Sequence, residues 1–354
     1  MPSRLSAAQR TLVERARHPG VSDMGVALTD ADCGFLIATI AKDLGVTHLL
    51  PSADFNALPP YFEVEPVSDA CSLGLAVEDA LVALFASVQD ADTYFACLAS
   101  LHKSRLKYEQ ILRRQPLPTF DQVGPRGLLQ FGTLSSRALV ALLMWRKWLY
   151  DLDNRAAQDT GYLFEPILAS SIGGFPAPAK RSPVKRRSDG RKGRQVDCVR
   201  GKRAYEFKLR VTIAASGQGR WGEELAFPHD CKASGYTPVL VVLDPTPNPK
   251  LTELIDQFQA AGGEAYIGDD AWAHLEGEAG ATMAVFLERY VREPLAVLLA
   301  EADTPLDEFS VSFASGSIAL RVGEEVRTVV RAEEFEPDDD AELPEDVDSE
   351  LPGL

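Results

Sequence analysis

The sequence has little of what most metal, redox and membrane proteins need. Its 354 residues include only five cysteines and five histidines. Cys33, Cys71, Cys97, Cys198 and Cys231 are odd in number and form no CxxC pair, which argues against a disulfide or zinc framework and fits reduced, buried thiols. The histidines are scattered and no HExxH or P-loop pattern occurs, so neither a zinc-protease helix nor a Walker-type phosphate loop is present. No run of 18 apolar residues is long enough to cross a bilayer. The first twenty residues are too charged for a signal-peptide core, so the expected location is the cytoplasm, with no membrane partner. No internal repeat is visible.

What is present is an uneven charge. The formal net charge is −16, from 36 basic and 52 acidic residues, which would normally argue against nucleic acid as a partner. Yet Lys180 to Arg210 carries thirteen basic residues against three acids, Asp189, Asp197 and Glu206. The end of the chain is the reverse. Residues 332–354 include "EEFEPDDDAELPEDVDSELPGL", a composition that predicts disorder. Such a tail would serve solubility or screen the basic segment from other polyanions. At 45% hydrophobic and 25% charged residues, the remainder is ordinary for a soluble protein of about two domains.

Residues 1–158 are rich in alanine and leucine at helical spacing and predict five to seven helices. Within it, "RQPLPTFDQVGPRGLLQFG" has the proline and glycine content of a connection, while Trp145 and Trp148 lie on an apolar helix as core residues. A separate helix is predicted over "TGYLFEPILASSIGG", with Thr160 as N-cap and the paired glycines as its stop. Residues 176–194 have no periodicity and predict an exposed, mobile basic loop. From Ala204 to Ile213 the pattern alternates with period two. A glycine-rich turn, a short helix near "EELAFPHDCKASG", the strand "TPVLVVLD", a helix, the strand "EAYIG" and the helix "ATMAVFLERYVREPLAVLLAEA" follow, so residues 159–302 predict an α/β layer. Residues 303–331 predict a small strand meander.

The chemistry concentrates in "RQVDCVRGKRAYEFKLRV". Gly201-Lys202 between two strand patterns suits a two-residue type II′ hairpin loop, which sets facing residues to sum to 403. Asp197 then faces Glu206, with Lys208 one step diagonal. Like charges in opposition destabilise a sheet, and a divalent cation removes that penalty. Mg²⁺ prefers carboxylate and water oxygens and leaves positions for phosphate, so the trio has the parts for phosphodiester hydrolysis. Asp197 and Glu206 would hold the metal. Lys208 would orient or deprotonate a water, or neutralise the transition state.

The segment "VDCVRGKRAYEFK" resembles the D-x(n)-[DE]-x-K signature of the PD-(D/E)xK nuclease superfamily, and the order from "TGYLFEPIL" to "GYTPVLVVLDPTPNPKL" follows its core. The wording "RAYEFKLRVTIAASGQGRWGEEL" further resembles the ApaLI-like type II restriction endonucleases. Val196 stands where the name-giving proline would be, and residues 1 to 155 lie outside the shared core. The resemblance implies an α/β fold: a restriction-endonuclease-like mixed sheet flanked by helices, with a mainly α-helical N-terminal half. It also implies Asp197, Glu206 and Lys208 as catalytic residues and Glu165 as a helical glutamate serving as extra metal ligand or orienter. Further implications are Mg²⁺, double-stranded DNA cut at a short palindrome such as GTGCAC, a homodimer, and a cognate methyltransferase that acts on the same site without a stable complex.

Lys185, Arg186, Arg187, Arg191, Lys192 and Arg194 in the basic loop are candidate phosphate contacts, and Gln218 and Arg220 candidate base readers. Glu223 and Glu224 suit the first turn of a helix, while His229 and Cys231 lack partners at metal spacing and are expected to be structural. Three rivals stand beside the restriction reading: a structure-specific repair nuclease, a non-catalytic DNA-binding module, and an NAD(P) site at "GQGRWG". Against the last, the preceding strand bears Glu206, Lys208 and Arg210 on one face, where a buried parallel strand would be apolar on both.

Overall fold

The computed structural model describes residues 4–19, 25–62, 75–209, 218–301 and 303–332. The N-terminal half is helical: α1 (Ala7–Arg17), α2 (Asp30–Asp43), α3 (Val77–Ser87), α4 (Ala91–Arg114) and the short α5 (Phe120–Val123). Their starts follow from local chemistry. Ser6 and Gln9 form a reciprocal capping box at α1, and Thr29 with Asp32 does the same at α2.

The two helices predicted on either side of residue 158 are one, α6 (Ser136–Ser171). Ser135 caps it, and Thr160, predicted to start a helix, instead donates its hydroxyl to the Ala156 carbonyl inside it. The boundary between helical half and core therefore falls inside a continuous rod. Gly173, at φ 70°, and the Gly174 amide bonding back to the Ala169 carbonyl end it as predicted.

After α6 come β1 (Phe175–Ala177), β2 (Lys185–Arg186), β3 (Asp189–Gly193), β4 (Val196–Arg200) and β5 (Arg203–Lys208). The chain continues through α7 (Gln218–Ala233), β6 (Thr237–Val242), α8 (Pro249–Ala260), β7 (Glu264–Ile267) and α9 (Asp269–Leu287). A π-helical turn at Glu288–Arg292 leads to α10 (Glu293–Ala300), then β8 (Phe309–Ala314), β9 (Ser317–Val322) and β10 (Glu325–Val330). The main sheet has the order β1-β4-β5-β6-β7, antiparallel from β1 to β5 and parallel from β5 to β7, so the fold is α/β with a mixed sheet. The expected meander is present as an antiparallel β8-β9-β10 sheet. It packs through Ile318 and Val329 on Ile111, Leu112 and Trp148, with Trp145 edge-on to Trp148.

Both faces of the main sheet are covered. Cys198, Tyr205, Phe207, Val239 and Val241 share a core with the N-terminal helices and α9, whereas Val199, Ala204, Leu240 and Val242 share one with α7 and α8. The helical half is thus part of the core. Asp43, at the end of α2, accepts hydrogen bonds from Tyr94 at 2.9 Å and Tyr290 at 2.5 Å, tying α2 and α4 to the π-helical turn.

Two further expectations change, and a third is untested. The 176–194 segment contains β1, β2 and β3 and is structured. The helix predicted from Ala281 does start there, after a break at Gly280 (φ 73°, ψ 169°), but an unpredicted helical stretch from Asp269 precedes it in α9. The acidic tail from residue 333 lies outside the described residues.

Gly174 shows how tightly β1 is laid on β4, since a Cβ there would collide with Cys198 Sγ and approach the Val199 carbonyl at 3.1 Å. Gly174→Ala should lower stability by about 1–3 kcal/mol. Gly222→Ala, in α7 with open space around it, should raise stability by about 1 kcal/mol. Urea unfolding of both variants reads the difference.

Candidate active site

The hairpin forms in the predicted register: Cys198 faces Tyr205, Val199 faces Ala204, and Arg200 faces Arg203. Gly201 has φ 59°, as the first position of a type II′ loop requires. The regular ladder stops one step before Asp197. A register shift between β1 and β4, with Phe175 opposite Val199 but Ala177 opposite Val196, distorts the strand there. Instead of standing in simple opposition to Glu206, Asp197 turns its Oδ2 to accept the Phe207 amide at 2.9 Å.

Asp197 is buried, at 9% exposure. Burial raises its pKa well above the usual carboxylate range, and the nearby charges of Glu206 and Glu165 push it further. Lys208 opposes this. Its Nζ lies 2.8 Å from Glu206 Oε1 and 3.9 Å from Glu224 Oε1. Burial alone would lower the Lys208 pKa, but Glu206, Asp197 and Glu224 together hold it above the usual lysine value. The structure therefore brings Asp197, Glu206 and Lys208 together, with Glu165 of α6 close enough to act on Asp197. Glu224, expected first as a helix-start acid and as the lesser option in a supporting role beside the site, joins from α7.

The donor set fits a hard divalent cation. Two or three carboxylates around one lysine leave an excess of negative charge, which an added cation would relieve. Among the described residues no group of three or more His, Cys, Asp and Glu side chains is gathered to enclose an ion. Mg²⁺ needs no such cage, because it keeps several waters and takes one or two carboxylates.

The basic segment divides into two roles. Arg194, expected to contact DNA phosphate, is 7% exposed and lies 3.0 Å from both Asp230 Oδ2 and Glu223 Oε2. Its guanidinium also stands over the Phe227 ring. It is a buried ion-pair residue, removed from the phosphate-binding set because a paired, desolvated guanidinium has nothing to offer a phosphate. Arg186 pairs with Glu223, and Arg187 lies 3.5 Å from Asp230. These contacts hold the β2-β3 ribbon on α7. Lys185, Arg191 and Lys192 stay exposed, with Lys192 3.9 Å from Asp189. Arg200 and Arg203 pair with Glu278 of α9, which accounts for two more arginines of the hairpin.

Gln218 and Arg220 lie in the first turn of α7, and their side chains lie outside the described residues, as do Arg210 and Gly217. His229 meets Gln257 at 2.9 Å and Cys231 is buried, consistent with structural roles.

The family profile of the ApaLI-like restriction endonucleases matches residues 61–292, which take in the whole hairpin and α6. The chain belongs to the ApaLI-like restriction endonuclease family. It is 44% identical to the type II restriction enzyme ApaLI of Acetobacter pasteurianus over 353 residues, covering 91% of this chain and 94% of that protein. No solved structure shows a significant match. Membership makes the chain a site-specific deoxyribonuclease with DNA as its substrate, and decides against the dinucleotide reading of "GQGRWG". The ApaLI-like profile also begins at residue 61, well inside the helical half that the superfamily resemblance left out. Among the described residues, no helix is long and apolar enough to cross a membrane.

The raised Asp197 pKa sets the sign of a stability change. A carboxyl that holds its proton more tightly folded than unfolded stabilises the fold at low pH, and loses that contribution as pH rises through the folded pKa. In EDTA, Asp197→Asn should melt higher than wild type at about pH 8, with the gain shrinking toward about pH 5. The Arg194 network predicts the reverse for its own disruption. Arg194→Met leaves the buried Asp230 with only Arg187, 3.5 Å away, to offset its charge and should cost up to about 3–5 kcal/mol in urea unfolding.

Proposed function

We propose that this enzyme cleaves DNA by a PD-(D/E)xK mechanism, with Asp197 and Glu206 holding Mg²⁺ and Lys208 acting beside them. The observation that carries this reading is the buried Asp197 carboxyl, packed near Glu206 and Glu165 and offset by Lys208. When bound, Mg²⁺ would polarise the scissile phosphate and lower the pKa of a coordinated water. The chain's own residues do the rest. Asp197 is fixed by the Phe207 amide, so its free oxygen is aimed by the backbone and needs no reorganisation during reaction.

Lys208 stays protonated when the site is empty of substrate, because three carboxylates surround it. A charged lysine of this kind stabilises negative charge developing on the phosphate. As a base it would serve only after a cation takes over the charge of Glu206, which would release the 2.8 Å contact that now holds its proton. Glu165, on the rigid C-terminal part of α6, orients the Asp197 side of the site or adds a metal oxygen.

The exposed cations Lys185, Arg191 and Lys192 on the β2-β3 ribbon are the proposed phosphate contacts, with Arg186 and Arg187 joining if DNA draws them from Glu223 and Asp230. Gln218 and Arg220, at the start of α7, remain the proposed base readers. A homodimer on a palindrome follows from symmetry, since a two-fold site is matched by a two-fold protein. GTGCAC is the first sequence to test, and a cognate methyltransferase would protect it.

Unmethylated phage DNA incubated with the protein and Mg²⁺ should give discrete fragments. EDTA should remove them, and Lys208→Ala should slow cleavage at least about 10²-fold while leaving DNA retardation on a gel. Nicks at branched or damaged positions instead of discrete fragments would favour a structure-specific nuclease. Arg191→Ala with Lys192→Ala should weaken binding to all sequences and lower the salt slope by about one for each phosphate no longer neutralised.

A further inference from the structure

The first half of α6 poses a packing problem that the monomer does not solve. Residues 138–145, "ALVALLMW", are eight apolar residues in succession, so a helix here is apolar on every side. A helix that is hydrophobic all round belongs in an interior. Here only Leu139 and Leu143 are buried, in a small cluster with Val123. The neighbouring 3-10 turn, Gly124–Gln130, and the link to α6 repeat the pattern. Phe120 is 63% exposed, Leu128 77%, Leu129 90%, Phe131 76%, Leu134 46% and Leu142 44%.

We propose that this surface, formed by α5, the 3-10 turn and the first turns of α6, is where two copies of the chain meet. The proposal rests on the two-fold nuclease reading and assigns that reading its contact. Six large apolar side chains this exposed are more than a monomer ordinarily leaves in the open and are of the kind that a stable interface buries. Charge argues against DNA as the occupant. Between residues 120 and 145 the charged residues are Asp121, Arg126 and Arg137, too few to track a backbone that carries one charge per about 1.7 Å.

Stoichiometry argues for a second copy. A duplex has two strands to cut, and among the described residues the chain has one Asp197–Glu206–Lys208 cluster. An apolar patch can also pair with itself across a two-fold axis, because it needs no opposite charge. α6 links this contact to the nuclease centre: Leu142 and Glu165 lie on the same helix, about 35 Å apart along its axis. Pairing at one end would thus set the spacing of two active sites at the other.

Sedimentation of the full-length protein tests this against a second exposed strip, Leu298 at 71% in α10 and Leu306 at 99% beyond it. Wild type and Leu298→Glu/Leu306→Glu should be dimers, while Leu129→Glu/Leu142→Glu should dissociate with a dimer Kd raised at least about 100-fold. Its circular dichroism and melting should stay unchanged, and its cleavage rate should fall at low enzyme concentration and recover at high. Leu128→Ser/Leu129→Ser, outside any α-helix, repeats the test if the first variant unfolds. A wild-type dimer that survives both arm variants would overturn this surface and leave the two-fold reading standing. A monomeric wild type that still cuts both strands would overturn both, and would assign the patch to another protein.

Discussion

A carboxyl group kept out of water beside two others is costly, and the proposed nuclease centre is built around that cost. Asp197 is buried near Glu206 and Glu165, where each negative charge makes the next harder to ionise. The Phe207 amide and the Lys208 ammonium offset part of the penalty. The remainder is what makes the site receptive to a cation. A site with its charges fully paired would be more stable and less suited to the proposed Mg²⁺.

The scaffold serves this arrangement from both sides of the sheet. β5 is antiparallel to β4 as far as Tyr205 and parallel to β6 along its whole length, so Glu206 and Lys208 are fixed by the β6 ladder, opposite Leu240 and Val242. α6 brings Glu165 to one side, and α7 brings Glu224 to the other. α7 also anchors the basic ribbon through Glu223 and Asp230, which couples the surface proposed to meet phosphate to the helix that flanks Lys208. The helical half shares the sheet's core through residues such as Tyr94 and Phe95, which lie inside the stretch that the family profile matches.

Features set by neighbouring residues were legible in the sequence. The Gly201-Lys202 turn determines the hairpin register, and the alternation from Ala204 to Lys208 separates the core face from the charged face, because both depend on contacts a few residues apart. The departures come from distant partners. The irregularity at which the β4–β5 ladder ends before Asp197 lies beside the register shift with β1, twenty residues earlier in the chain. Arg194 looked like one more surface cation because its partners, Glu223 and Asp230, are 29 and 36 residues away. Thr160 and Gly161 have the composition of a helix start, yet packing on both sides carries α6 straight through them. Gly280 had the opposite effect, hiding the first half of α9 behind a break in its pattern.

The central claim is that Asp197 carries a cation-sensitive proton. Carbon-13 NMR of aspartate-labelled protein, with Asp197 assigned by its loss in Asp197→Asn, measures its titration with and without Mg²⁺. The account predicts a pKa clearly above the usual value of about 3.9 in EDTA and a drop when Mg²⁺ is added. An ordinary pKa in EDTA, or a raised one indifferent to Mg²⁺, would contradict it.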